Sequence, residues 1–364
     1  MHKRIPQLDA LRGLAILVVI IHNSGALPRL SADGWMGVDL FFVLSGFLIT
    51  GILIDSRQSE SYFKNFYLRR CLRIWPLYFS LLLFMFVLVP LLRPSEAPGI
   101  FARSAPWWSY ILFVQNLLVR FPTMATGALA VTWSLAIEEQ FYFVWPWALR
   151  YFSLAHVRRI AIAVLCLSPL LRLYLSSPLS SHPIDTYPNS FCRLDGLMAG
   201  ALLALAIRAE NFVPSKFIRN AWITLAIAAP SAFLTEALHA RWIAFSFVAI
   251  ACASFVYLAM FSTQKWLQSA LSNRFLIYTG TISYGLYLLH KFPLDAAKVM
   301  HFDRHPLLVL PLAIVASYAL AALSWHFMEQ PFMRLKRFFG SQSLREEVAM
   351  PPALVLPQED VNAA

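Results

Sequence analysis

Charge is scarce in this chain: only 13% of its 364 residues are Asp, Glu, Lys or Arg, against about 25% in soluble domains. That excludes an ordinary water-soluble globule. Cysteine is scarce too. Cys71, Cys166, Cys192 and Cys252 are scattered with no C-x-x-C pair, which excludes a cysteine zinc site or a disulfide framework as the organising device. No internal repeat is visible, so the main sequence sign of a repeat-built transporter is missing. The first apolar run lacks an A-x-A-like cleavage site, so it is expected to be retained rather than removed as a signal peptide.

What remains is apolar: 59% hydrophobic and 15% aromatic residues, with a mean hydropathy of +0.61. The sequence describes an all-α integral membrane protein. Ten spans of the ~20 residues a bilayer requires can be drawn: 9–27, 35–54, 74–92, 131–150, 158–176, 192–209, 219–237, 242–261, 275–291 and 307–328. The net charge of +11 would suggest nucleic acid in a soluble protein. Here Lys and Arg concentrate between spans, and more lie on the side of the N-terminus, so both termini are expected in the cytosol. The expected partners are anionic lipid headgroups and an anionic cytosolic ligand, with no nucleic acid. Residues 1–338 form one transmembrane domain, and the polar, Pro-containing tail 339–364 is expected to be disordered. Within the long outer loop 93–130, PWWSYILFVQNLL is too short to span and predicts an interfacial or re-entrant helix. Its Trp107 and Trp108 fit an interfacial belt better than a sugar platform.

Into these spans the sequence places ionisable groups, which are expensive in a membrane and mark functional positions. LDALRGLAILVVIIHN (8–23) carries Asp9, Arg12, His22 and Asn23. Arg12 and His22 stand about 15 Å apart along a helix axis. Asp39 opens the second span, where a carboxylate at a helix N-terminus is the competing reading. FYLRRCLRIWPLY (66–78) puts Arg70 and Arg73 on one helical face, suited to a phosphate. A lipid headgroup is the generic partner and a phosphorylated cosubstrate the sharper one. TWSLAIEEQFYFVWP (132–146) holds adjacent Glu138 and Glu139, with Ser134 and Tyr142 one turn either side of Glu138. FCRLDGLMAG (191–200) holds Arg193 and Asp195, which cannot face each other on a regular helix and should pair with other spans. YTGTISYGLYLLHK (278–291) carries Ser283, Tyr284, Tyr287 and His290, and SWHFMEQPF (324–332) carries His326 and Glu329. The drawn topology separates His290 from Glu329, so no metal site is expected. So many polar groups imply an interior cavity or channel.

In this order the motifs resemble the bacterial acyltransferase-3 membrane O-acyltransferases, over nearly the whole chain from Leu8 to Phe332. The resemblance implies a ten-span core that moves an acyl group, often acetyl, from cytosolic acyl-CoA to a hydroxyl of a glycan or related acceptor. It implies no permanently bound cofactor, with acyl-CoA as cosubstrate and a glycan or lipid-linked acceptor. By motif, His22 is the essential histidine, Arg12 its partner on the first helix, and Arg70 and Arg73 the arginine pair of acyl-CoA use. Arg12 is grouped with Arg70 and Arg73 in donor binding. Glu138 is the glutamate of the fourth-span motif. Asp39, Ser134, Arg193, Asp195, Tyr284, His290 and Glu329 are the remaining substrate-side or structural polar positions. Nine residues separate Arg12 from His22 where ten are usual in the family. One residue rotates a side chain by about 100°, and Asn23 stands in the usual register. The extra esterase-like domain frequent in the family is not expected within these residues.

The expected mechanism makes His22 the general base on the acceptor hydroxyl. Glu138 orients or charge-balances it, and a covalent acyl-histidine is the less favoured variant. The expected location is a bacterial inner membrane. A multi-span transporter or flippase for a polar or lipid-linked substrate is the alternative reading.

Overall fold

The computed structural model describes residues 5–25, 34–95, 101–102, 104–118, 127–177, 185–299 and 306–336. The expected disordered tail lies outside them. Every element among the described residues is helical. Long apolar runs dictate this, because a backbone taken out of water must satisfy its own hydrogen bonds and a helix does so within one segment.

The long helices are α1 (Pro6–Ser24), α2 (Met36–Asp55) and α3 (Tyr62–Leu83), the last prolonged by a π-helical turn (Phe84–Leu88) and Val89–Leu92. The short α4 (Trp107–Ile111) and α5 (Gln115–Leu118) follow. Then come α6 (Thr132–Tyr151), α7 (Leu154–Ser176), α8 (Ser190–Ile207), α9 (Pro214–Ala237) and α10 (Arg241–Phe261). The chain continues through α11 (Lys265–Leu271), α12 (Arg274–Thr281), α13 (Ser283–Leu289) and α14 (Lys291–Val299). It ends in α15 (Pro306–Ser324), a second π-helical turn (Trp325–Glu329) and α16 (Gln330–Arg334).

Seven described stretches are long and apolar enough to cross a membrane: α2, Tyr62–Leu92, α7, α8, α9, α10 and Leu310–Arg334. The chain is a multi-pass membrane protein. Helices α1 and α6 have spanning length, 19 and 20 residues. They carry the polar groups singled out above and so fall outside the seven. The ninth expected span is two short helices, α12 and α13, that meet at Ile282. The third begins at Tyr62 rather than residue 74, because the arginine-bearing stretch continues the helix without a break.

Helices α2, α8 and α10 form the interior, with 72%, 67% and 67% of their apolar stretches buried. Helices α7 and α9, at 22% and 11%, turn most of their surface outward. The core pair, α2 and α8, pack backbone to backbone. A Cβ on Gly46 would stand 2.0 Å from the Leu197 carbonyl oxygen, and one on Gly200 2.0 Å from that of Val43. The first helix meets α12 in the same way at Gly13 and Gly280. Small residues permit such approach where there is no hydrophobic force between spans.

The short α4 and α5 are joined through Phe113, which takes a positive φ of 54°. They are fixed by a polar knot. Gln140 of α6 donates to the Phe113 carbonyl (2.7 Å) and to Asn116 Oδ1 (2.9 Å). Asn116 donates to the Pro188 carbonyl and to Ser190 Oγ, and Ser190 Oγ donates to Gln140 Oε1 (2.5 Å). Trp107 and Trp108 remain exposed, as a belt at an interface requires.

Candidate active site

Helices α1, α2, α3, α6 and α13 enclose a cavity of about 820 Å³, its open mouth included. Along α2 the lining runs from Val38 to Ile49, about 16 Å of helix. Phe41, Phe42, Leu48 and Ile49 make much of that wall apolar.

One end is basic. Arg12, Arg70 and Arg73 line it together. The Arg70 guanidinium lies 5.9 Å from the ring centroids of both Phe66 and Tyr142, which holds it by cation–π attraction. Arg12 is tied to Asp9, one turn back, at 3.3 Å. Arg70 and Arg73 have no ion-pair partner among the described residues.

The middle of the wall is acidic and phenolic. Tyr142 donates to Glu138 Oε2 at 3.3 Å and shares a short hydrogen bond with Ser45 of α2. Glu138 is within electrostatic reach of Arg12 and Arg73. Its neighbour Glu139 points elsewhere and accepts from Trp75 Nε1 at 3.2 Å. At the Val38 end, Ser134 and Tyr287 share a hydrogen bond of 2.5 Å, and Tyr287 also donates to the Val131 carbonyl. Tyr284 lines the cavity and donates to the Ile74 carbonyl at 2.7 Å, which fixes α13 against α3.

His22 does not line this cavity among the described residues. It sits half-buried in the last turn of α1, with its Cβ against Gly34. Gly37, just before Val38, packs on Ala15 and Val19 of the same helix. His22 therefore stands about one turn beyond the Val38 end, on the far side of the cavity from Arg70.

Behind Phe42 lies a buried ionic network. Arg193 and Asp195 are two residues apart on α8, and each pairs with another helix. Arg193 Nη2 donates to both oxygens of Asp39, 3.0 Å each. Arg172 of α7 donates to Asp195 at 2.9 Å, and Ser246 of α10 bridges both partners at 2.7 Å. The Arg193 guanidinium is boxed by Phe245 at 4.0 Å, Tyr187 at 5.2 Å, and Trp133 and Phe42 at 5.8 Å. This network joins α2, α7, α8 and α10 next to the cavity without entering it.

His290 is fully buried, with Nδ1 near the Leu286 and Tyr287 carbonyls. Glu329 is buried in the π-helical turn, accepts from Ser324 at 3.0 Å and abuts Gly285. Neither lines the cavity. Among the described residues, no three His, Cys, Asp or Glu side chains gather into a metal-binding group. Sequence reasoning passed over Arg172, although an ionisable residue within span 158–176 is the signal that marked the others. It also passed over the Ser45–Tyr142 contact and the Gln140 knot, which join helices far apart in sequence.

A family model described as an acyltransferase domain matches residues 5–326. The chain belongs to the acyltransferase-3 family. It is similar to "Peptidoglycan O-acetyltransferase OatA" of Listeria monocytogenes, 29% identical over 362 residues, covering 91% of this chain and 56% of that protein. It is also similar to "Putative peptidoglycan O-acetyltransferase YrhL" of Bacillus subtilis, 30% identical over 358 residues, with 91% and 55% covered. The chain thus spans little more than half the length of these relatives. No solved structure matches. Family membership turns the cavity into a candidate active site.

Proposed function

We propose that this protein transfers an acyl group, acetyl in the first instance, from cytosolic acyl-CoA to a hydroxyl of a cell-envelope glycan. The two relatives are named for peptidoglycan, which makes a cell-wall glycan the first acceptor to test. The supporting observation is a single cavity that is basic at one end and apolar along its wall. Glu138 stands midway, and His22 lies one turn past the other end.

In this reading the donor's phosphates stay at Arg70 and Arg73, where guanidinium forks match phosphate oxygens. Arg12 completes that group. The pantetheine arm follows the apolar wall of Phe41, Leu48 and Ile49. The acceptor approaches from the His22 end, on the outer side of a bacterial inner membrane, in a bundle of about ten spans with cytosolic termini.

The chemistry needs one proton transfer and one displacement. A neutral His22 nitrogen takes the proton of the acceptor hydroxyl, and that oxygen attacks the thioester carbonyl carbon. The carbon–sulfur bond then breaks. CoA leaves as a thiolate and takes up the proton, which resets the imidazole. Glu138, held by Tyr142, balances the charge developing along the path. The hydroxyl oxygens of Ser134 and Tyr287, whose protons are already donated to Tyr287 and the Val131 carbonyl, offer acceptors at the acceptor end.

Mass spectrometry of cell-wall glycans from producing and deleted cells tests the reading. Acetyl esters present only with the protein are the expected result. Identical glycans, with acetyl-CoA untouched by the purified protein, would remove it.

A further inference from the structure

Helix α16 and the preceding π-helical turn pack against α3, the helix that carries Arg69, Arg70 and Arg73. Two residues after α16 comes Lys336, half-buried. Its ammonium is within electrostatic reach of Arg73, Arg70 and Arg69, in that order of strength. Lys336 thus joins the three arginines of α3 as a fourth cation, and of these Arg70 and Arg73 line the basic end of the cavity. Among the described residues none of the four has a carboxylate within ion-pair distance, and Arg69 Nε and Arg70 Nε are buried without a hydrogen-bond partner.

Like charges brought together out of water repel each other and lose hydration, and a fold retains such a group when an anion compensates it. The carboxylates within electrostatic reach of these arginines, Glu138, Glu139 and Glu329, form no ion pair with them and accept from Tyr142, Trp75 and Ser324 instead, and with Arg12 the cations outnumber them. A single phosphate needs fewer than four cations; a ligand with several phosphates suits them.

We propose that Lys336 is a donor-binding residue, the cation that completes a polyphosphate site with Arg69, Arg70 and Arg73. This deepens the acyl-CoA reading and rests on it. Arginines clamp phosphate oxygens bidentately, whereas lysine is a point charge on a flexible stem. Lys336 therefore reaches a phosphate that the three guanidinium groups leave open.

The assignment carries a pH signature. Burial, reinforced by Arg73, Arg70 and Arg69, pulls the Lys336 ammonium down from the usual lysine range to about 7. The other ionisable groups on the elements packed here are His326 and Glu329 of the π-helical turn, Arg334 of α16, and Lys64, Cys71, Tyr62, Tyr67 and Tyr78 of α3. A bound polyanion favours the charged lysine. Below pH 7 Lys336 is already charged and the donor binds best. As pH rises above 7, binding must be accompanied by proton uptake, so affinity falls while the phosphates stay fully ionised.

The test is steady-state kinetics of the purified protein in phosphatidylcholine nanodiscs at pH 6.5–9. The donors are acetyl-CoA and S-acetyl-pantetheine, which lacks the phosphates. Lys336→Gln is expected to raise KM for acetyl-CoA about tenfold at pH 7, the size of one charge-assisted contact, with kcat nearly unchanged. It should flatten the rise of KM with pH and leave S-acetyl-pantetheine unaffected, while Lys336→Arg restores low KM without the pH dependence. Lys216→Gln, an exposed lysine at the start of α9, controls for lost net charge. Equal KM values for Lys336→Gln and the unaltered protein would overturn the role of Lys336 while leaving the acyl-CoA reading intact. No turnover of acetyl-CoA by the unaltered protein would overturn both. A second arm adds phosphatidylglycerol to the discs. If Lys336→Gln loses lipid retention but not CoA affinity, the phosphate source is a headgroup and the assignment falls.

Discussion

At the scale of single residues, the network behind Phe42 shows how buried charge is tolerated in this bundle. Asp39 and Arg193 are 1% and 0% exposed, and neither can be neutralised by water. Removing one partner strands the other, at a cost of about 3–5 kcal/mol, whereas replacing both with apolar groups costs much less. Asp39→Ala and Arg193→Met should therefore each lower the unfolding temperature in detergent strongly, and the double variant should recover much of the loss. Equal, additive losses would show that the two side chains are not coupled. These partners were legible in part. Arg193, Asp195 and Asp39 stood out as charges in apolar runs, and the two-residue step on α8 implied partners on other helices. Which partners they take was not legible, because a pairing 154 residues apart leaves no local pattern. Arg172 carried the same signal, a charge within the span 158–176, and was passed over; only its reach to Asp195 leaves no local pattern.

At the scale of elements, periodicity and length located most helices and failed where packing overrides both. The expected span 275–291 breaks at Ile282 because α12 is drawn against α1 at Gly13 and Gly280, and α13 is held separately, by Tyr284 on the Ile74 carbonyl and Tyr287 on Ser134. The short PWWSYILFVQNLL stretch was legible as a non-spanning piece from its length. Its anchor was not, since Gln140 lies on another helix. The contact of α2 with α8 gives the sharpest test at this scale. Gly200→Val places its side chain on the Val43 carbonyl and must push the helices apart. Overpacking of this kind costs about 1–3 kcal/mol. A lower unfolding temperature is expected, with transfer reduced because α2 forms the long wall of the cavity. An unchanged unfolding temperature and activity would mean that the two backbones do not need to touch.

At the scale of the whole molecule, the proposed function requires a charged cosubstrate on one side of a membrane to serve a hydroxyl on the other. The bundle answers with position: arginines at one end, Glu138 in the middle, a histidine beyond the opposite end. The order of these groups was legible from the sequence through their places along the spans. The separation of Arg12 and His22 by nine residues was legible as well. Arg12 faces the cavity, while His22 sits one turn past its end, against Gly34. An acceptor hydroxyl at His22 must therefore meet the acyl group at the end of the cavity rather than within it. The most direct measurement is transfer of labelled acetyl from acetyl-CoA to a soluble glycan fragment by the purified protein in proteoliposomes. It should be made for the unaltered chain, His22→Ala and Glu138→Gln, with unfolding temperatures recorded alongside. Transfer is expected from the unaltered chain, none from His22→Ala at an unchanged unfolding temperature, and a loss of about 100-fold or more for Glu138→Gln. Normal transfer by a folded His22→Ala variant would contradict the proposed function.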